Sequence, residues 1–89
     1  MQNETQRLSL IQEYESAPAS ALFTQIMVAA VRSCSIATIE RDRWAGTGVP
    51  FIKLGRSVRY RKADIELWLS RYPAVQSTTQ AQALSGVRL

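Results

Sequence analysis

The sequence predicts a small, mainly helical α+β domain: two short helices, a β-hairpin and a third helix. Three observations lead to it. Residues 46–62 hold two short apolar segments on either side of Gly55-Arg56-Ser57, the pattern of a hairpin. Ile65, Trp68, Leu69 and Tyr72 then fall at i, i+3, i+4 and i+7, one stripe of an amphipathic helix. Upstream, Thr24 and Ser35 each precede a short helical pattern, and the second pattern stops at Gly46. With 89 residues in all, the chain forms one domain with a small core.

The elements follow in order. Leu8, Ile11 and Tyr14 align as one apolar stripe, with Asn3 as a cap and Glu4 in the first turn. Residues 1–22 are therefore a short helix or a disordered arm, with residues 16–20 as a linker. Thr24 is the expected N-cap of the next helix, its hydroxyl offered to a free backbone N–H. Ile26, Met27, Ala29, Ala30 and Val31 supply the apolar positions, and the two alanines let another helix approach closely. Arg32-Ser33-Cys34 breaks the run. Ser35 caps a second helix over 36–45, with Ile39 inward and Gly46 as a left-handed terminus. Two helices joined by about three residues read as a helix-turn-helix. Ala37, Glu40, Arg41 and Trp44 fall on the outer face, and Trp44 is expected to cover the base of the hairpin.

In the hairpin, Ile52 and Leu54 are expected to share the buried side with Val58 and Tyr60. Lys53, Arg59 and Arg61 then take the opposite side, with Arg56 at the tip. Pro50 stands at the strand start, where its missing N–H does least harm. The third helix is expected from Ala63 to Tyr72, with Trp68 as core anchor, acidic Asp64 and Glu66 in the first turn, and Pro73 as the stop. Residues 73–89 turn polar and read as a disordered tail, which leaves 23–72 as the folded domain.

Charge is distributed unevenly. Residues 1–23 carry one Arg against three Glu, and residues 24–72 carry nine basic against four acidic side chains. A basic core after an acidic leader suits a polyanionic partner, the alternative being a solvated basic surface. Cys34 is the only cysteine and there is no His, so neither an intrachain disulfide nor a structural zinc site is expected. No apolar run approaches the length of a membrane span, and the first residues are polar rather than signal-like. The expectation is a soluble protein of a reducing, intracellular compartment, with no cofactor, no metal, no membrane and no small-molecule substrate. No phosphate loop or paired carboxylate suggests an enzyme: Asp64 and Glu66, two apart on a helix, do not share a face.

Residues 24–69 resemble the small winged helix-turn-helix proteins related to the MerR DNA-binding domain, among them excisionases (recombination directionality factors) and AlpA-like regulators. The resemblance rests on Thr24, Ala29, Ser35, Thr38-Ile39 and Arg41, and on Gly46-x-Gly48-x-Pro50-Phe51-Ile52-Lys53-Leu54-Gly55-Arg56-x-Val58-x-Tyr60-Arg61. Asp64-Ile65-x-x-Trp68-Leu69 completes it. The chain departs from the pattern at Arg32, which replaces an apolar residue, and at Ser33, which replaces a common turn glycine. Ile36 and Ala37 stand where polar residues are frequent.

The resemblance implies that the second helix enters the major groove of double-stranded DNA. Ser35, Ile36, Ala37, Thr38 and Arg41 would form that surface, with Arg41 positioned for a bidentate guanine contact and Ile36 and Ala37 for thymine methyls. Arg56 would reach the minor groove, while Lys53, Arg59 and Arg61 hold phosphates. The expected function is that of a non-enzymatic, sequence-specific architectural protein of a phage or other mobile genetic element. It would assemble in several copies on repeated sites and bend DNA for an integrase during DNA recombination. A small AlpA-like transcription regulator at a promoter is the alternative, and a protein adaptor without DNA binding a third.

Overall fold

In a computed structural model, which describes residues 4–75, four helices surround a three-stranded antiparallel sheet. The helices are α1 (Glu4–Ser16), α2 (Gln25–Arg32), α3 (Ile36–Ala45) and α4 (Lys62–Ser70); the strands are β1 (Leu22–Phe23), β2 (Ile52–Leu54) and β3 (Ser57–Arg61). The strand order is β1-β3-β2, so the long strand β3 is central. Residues 1–3, with the expected cap Asn3, and residues 76–89, which include most of the expected tail, lie outside the described residues.

The N-terminal segment is a helix, and it belongs to the core. Tyr14 is buried, its ring 5.5 Å from that of Phe23. Of the expected stripe, Leu8 instead remains exposed, and Leu10 packs inward in its place. Two cations fasten α1 at its ends. Arg7 donates from Nε to the Ala30 carbonyl at 3.2 Å and from Nη2 to the Ser33 hydroxyl, where α2 ends. Lys62 donates from Nζ to the Ala17 carbonyl at 2.8 Å, just past the end of α1, and lies 5.0 Å from the Tyr14 ring centroid. A cation beside the carbonyls of a helix end satisfies orphan acceptors and the helix dipole together.

Strand β1 was not foreseen. It pairs Leu22 with Arg61 and Phe23 with Tyr60, and the pairing continues through Lys62 N–H to the Ala21 carbonyl at 2.9 Å. Two residues are too few to show an alternating pattern in sequence.

Helix α2 runs through the centre of the molecule, which is why Met27, Val28, Ala29 and Ala30 are all buried. Thr24 holds the extended N-cap conformation, but its side chain makes no capping bond, contrary to expectation. Both α2 and α3 end in the same motif. Cys34 N–H reaches the Ala29 carbonyl at 3.0 Å past a left-handed Ser33, and Thr47 N–H reaches the Asp42 carbonyl at 3.0 Å past a left-handed Gly46. These six-to-one bonds close each helix with a sharp reversal.

Helix α3 has the expected bounds, cap and inward Ile39. Helix α4 is shorter than expected. Its Ile65 is fully buried and Trp68 and Leu69 are half-buried. Tyr72 lies outside the helix, 58% exposed, folded over Trp68 with centroids 4.9 Å apart. Pro73 disfavours helical backbone at the residue before it, so the stripe ends one turn early.

Candidate nucleic-acid interface

The hairpin differs from expectation in a way that rearranges its cations. Leu54 pairs with Ser57, Lys53 with Val58 and Ile52 with Arg59. The turn therefore holds two residues, Gly55 and Arg56, and only Gly55 has a positive φ, of 64°. That is the glycine-first pattern of tight hairpin turns. Ser57 had been expected in the turn. Removing one residue from a turn shifts the register, and a one-residue shift moves side chains to the other face. Directly paired residues share a face, so Lys53 lies on the side of Val58. Arg59, opposite Ile52, lies on the other. The expected row of Lys53, Arg59 and Arg61 on one side is not formed.

The structure sorts the cations by what they touch. Arg7 and Lys62 hold helix ends, as described above. Arg32 pairs with Asp42 at 2.9 Å and lies 4.4 Å from the Trp68 ring centroid. Arg43 donates from Nη1 to the Tyr60 hydroxyl at 2.9 Å and to Gln25 Oε1 at 3.0 Å. Arg59 is half-buried and donates to the Val58 carbonyl at 2.8 Å, while Arg61 lies 3.7 Å from Asp64. Arg41, Lys53, Arg56 and Arg71 differ: each is exposed and makes no side-chain hydrogen bond or ion pair among the described residues, the first three on α3 and the hairpin and Arg71 at the end of α4.

On α3, Ser35 accepts from Thr38 N–H at 3.2 Å, and the Ser35 and Thr38 hydroxyls are 3.0 Å apart. Both hydroxyls thus serve the first turn. Ile36 corrects an expectation: it packs against the core, because its position just after the cap faces inward, and it offers little surface to a thymine methyl. Ala37 and Arg41 are exposed. Glu40 accepts from Gln25 Nε2 at 3.1 Å and is held to α2.

Trp44 is 90% exposed and does not seal the hairpin base. It lines an open cleft of about 300 Å³ with Arg43, Phe51, Lys53 and Val58. A second cleft of about 390 Å³ separates Thr24, Gln25 and Ile26 from Arg56 and Arg59, which places the hairpin tip beside the start of α2. The outer face of α3 and the hairpin are therefore neighbours, and each brings an uncommitted cation.

Arg43 is the residue that sequence reasoning underrated. Beyond one spacing, nothing in its local sequence marks it as a junction. It stands four residues after the inward Ile39, and i, i+4 spacing places it on the same side. Comparison with known proteins finds no matching family model and no curated relative.

Proposed function

We propose that this chain is a winged helix-turn-helix DNA-binding protein, with α2 and α3 as the helical pair and the β2–β3 hairpin as its wing. On this reading it acts as an excisionase-type architectural factor on the bacterial nucleoid. It binds repeated sites, assembles in several copies and aligns DNA for an integrase, with no chemistry of its own. The observation that carries the DNA reading is the sorting of the cations. Arg41 on α3 and Arg56 and Lys53 on the hairpin stay exposed and unengaged, while Arg7, Arg32, Arg43 and Lys62 are committed to the fold. An exposed guanidinium at a turn tip contributes nothing to folding, and a polyanion gives it a partner.

The revised hairpin alters the roles within this reading. Arg56 reaches outward to the minor groove. Lys53 supports phosphate binding on the α3 side, whereas Arg59 and Arg61 approach phosphates only by leaving their contacts within the protein. Arg41 reads base edges beside Ala37, with Ser35 and Thr38 shaping the helix start. The excision role rests on the likeness of the 24–69 pattern to that of excisionases.

Selection from random duplexes at low and moderate salt tests it. Enriched direct repeats about one helical turn apart are expected for copies aligned on one face of DNA. Inverted repeats or single sites would point to a promoter-binding regulator instead. Absence of salt-sensitive binding would end the DNA reading, because affinity built on phosphate contacts falls steeply with salt.

A further inference from the structure

We infer that Trp44, Phe51 and Lys53 form a subsite for one deoxyribose-phosphate unit at the rim of the groove that α3 enters. The inference rests on the DNA reading above. Three observations support it. Trp44 is 90% exposed, far more than an indole needs for any structural task. Phe51, 44% exposed, lines the same open cleft, and its ring packs against Tyr60 at 6.2 Å, which fixes that wall. Lys53 lines the cleft as well, with an ammonium that has no protein partner among the described residues.

The chemistry of the cleft selects its occupant. Two aromatic walls beside a cation suit a group with an apolar ring and an adjacent negative charge. Arg41 stands one turn before Trp44 on the outer side of α3 and adds to the positive potential. A second copy of the chain would have to bring an acidic surface to the same place.

Distance along α3 selects the backbone rather than the bases. Trp44 follows Thr38 by six residues, about 9 Å of helix. The major groove is about 8.5 Å deep. With α3 entering the groove by its N-terminal end, as the proposed base contacts of its first turn require, this rise carries Trp44 to the groove mouth, level with the sugars and phosphates. The hairpin places Lys53 beside it.

The test uses the full chain and a labelled duplex from the selection above, with affinity read by anisotropy across a salt series. Trp44→Ala is expected to bind about tenfold more weakly, with an unchanged slope of log affinity against log salt, since it removes apolar contact. Lys53→Ala is expected to weaken binding and to flatten the slope by about one ion. In parallel, acrylamide quenching of the parent minus that of Trp44→Ala isolates the Trp44 signal from that of Trp68. Duplex should shield it. If duplex binds but Trp44 stays open to quencher and Trp44→Ala binds normally, the subsite is wrong while the DNA reading stands. If Trp44 becomes shielded without DNA as protein concentration rises, the cleft receives a second copy and the subsite is overturned. If no duplex binds at any salt, the DNA reading fails and the subsite with it.

Discussion

The Arg32 guanidinium lies 4.4 Å from the ring centroid of Trp68 while its Nη2 pairs with Asp42 Oδ2 at 2.9 Å. One side chain from the end of α2 thereby joins α3 and α4. In the sequence Arg32 only breaks the apolar run of α2. In the fold the arginine packs through its stem and its flat cation. The ion pair is largely shielded, its side chains 15% and 19% exposed. Arg32→Ala leaves Asp42 unpaired in this shielded place and is expected to cost about 2–3 kcal/mol. Arg32→Met keeps the stem and is expected to cost less. Urea melts of the two variants, with Asp42→Asn as the third corner, check the ranking. Equal losses for Ala and Met would show that packing is not involved.

A second junction has Arg43 at its centre. Its Nη1 serves both Tyr60, which is 1% exposed, and Gln25, so α3, β3 and α2 meet at one guanidinium. Tyr60→Phe removes one acceptor and leaves the ring packing intact. It is expected to cost about 1 kcal/mol, the usual net value of a hydrogen bond. Arg43→Ala should cost more, since it strips both acceptors. A melt of Tyr60→Phe equal to that of Ile65→Ala, which empties a fully buried site, would show that the ring itself had moved.

Much of this architecture is legible in the sequence, and the misses share a cause. The bounds of α3, its Ser35 cap, its Gly46 terminus and the inward Ile39 all follow from local chemistry that a short window contains. Strand β1 and the role of α1 depend on long-range partners. Phe23 becomes a strand residue only because Tyr60 is available to pair with it, and Tyr14 becomes core only because Phe23 lies beneath it. The hairpin faces were misjudged by one residue of turn length, and that single residue moved Lys53 away from Arg59. Among the candidate site residues, Arg41, Arg56 and Ala37 are exposed as expected. Ile36 is not free, and Trp44 is more open than its neighbours in sequence suggested.

Trp68 itself illustrates the limit of a stripe. A fully buried indole costs about 3–5 kcal/mol on truncation to alanine. Here Trp68 is half-buried, covered by Arg32 on one side and Tyr72 on another. Trp68→Ala is expected to cost about 2–3 kcal/mol, below the range for a fully buried indole, and less than Ile65→Ala relative to the area removed. Thermal melts of both variants decide it, and a Trp68→Ala melt matching the parent would remove the indole from the core.

Tyr14 gives the fold a pH signature. Burial first, and then the Glu66 carboxylate, push its phenol up from 10.0 to about 12, and the hydroxyl makes no hydrogen bond of normal geometry. The folded state therefore favours the neutral phenol. Its contribution is fully present below the unfolded value near pH 10 and is lost as pH rises through about 12. Stability should fall over that window, and Tyr14→Phe should fall less, since both proteins carry the same lysines. Urea midpoints at half-unit steps from pH 9 to 12 measure the difference. Parallel curves would mean that the phenol ionises equally well in both states.

Ser33 holds φ 56° and ψ 46°, a left-handed conformation in which glycine carries no steric penalty. Ser33→Gly removes a backbone cost of about 1 kcal/mol but also removes the hydroxyl that accepts from Arg7. Arg7 keeps its bond to the Ala30 carbonyl, and the lost contact is exposed. The net change is expected to be a stabilisation of under about 1 kcal/mol. Arg7→Ala should erase more stability in the parent than in Ser33→Gly, because only the parent uses both of its bonds. A double-mutant cycle of these two substitutions, read by urea melts, tests that coupling. A coupling near zero would mean that Arg7 acts on α2 alone.

The hairpin tip separates folding from function most cleanly. Arg56 is exposed, follows the left-handed Gly55 and has no side-chain hydrogen bond or ion pair among the described residues. Arg56→Ala is therefore expected to leave the melt and the circular dichroism unchanged. On the proposed function it should weaken duplex binding about tenfold and flatten the salt slope by about one ion. Arg61→Ala is the matched control, since Arg61 also faces Asp64 at 3.7 Å and has less freedom to meet a phosphate. Its effect on affinity should be smaller. If the two variants lose affinity equally, the tip has no privileged role. If Arg56→Ala binds like the parent with its fold intact, the hairpin does not act as a wing.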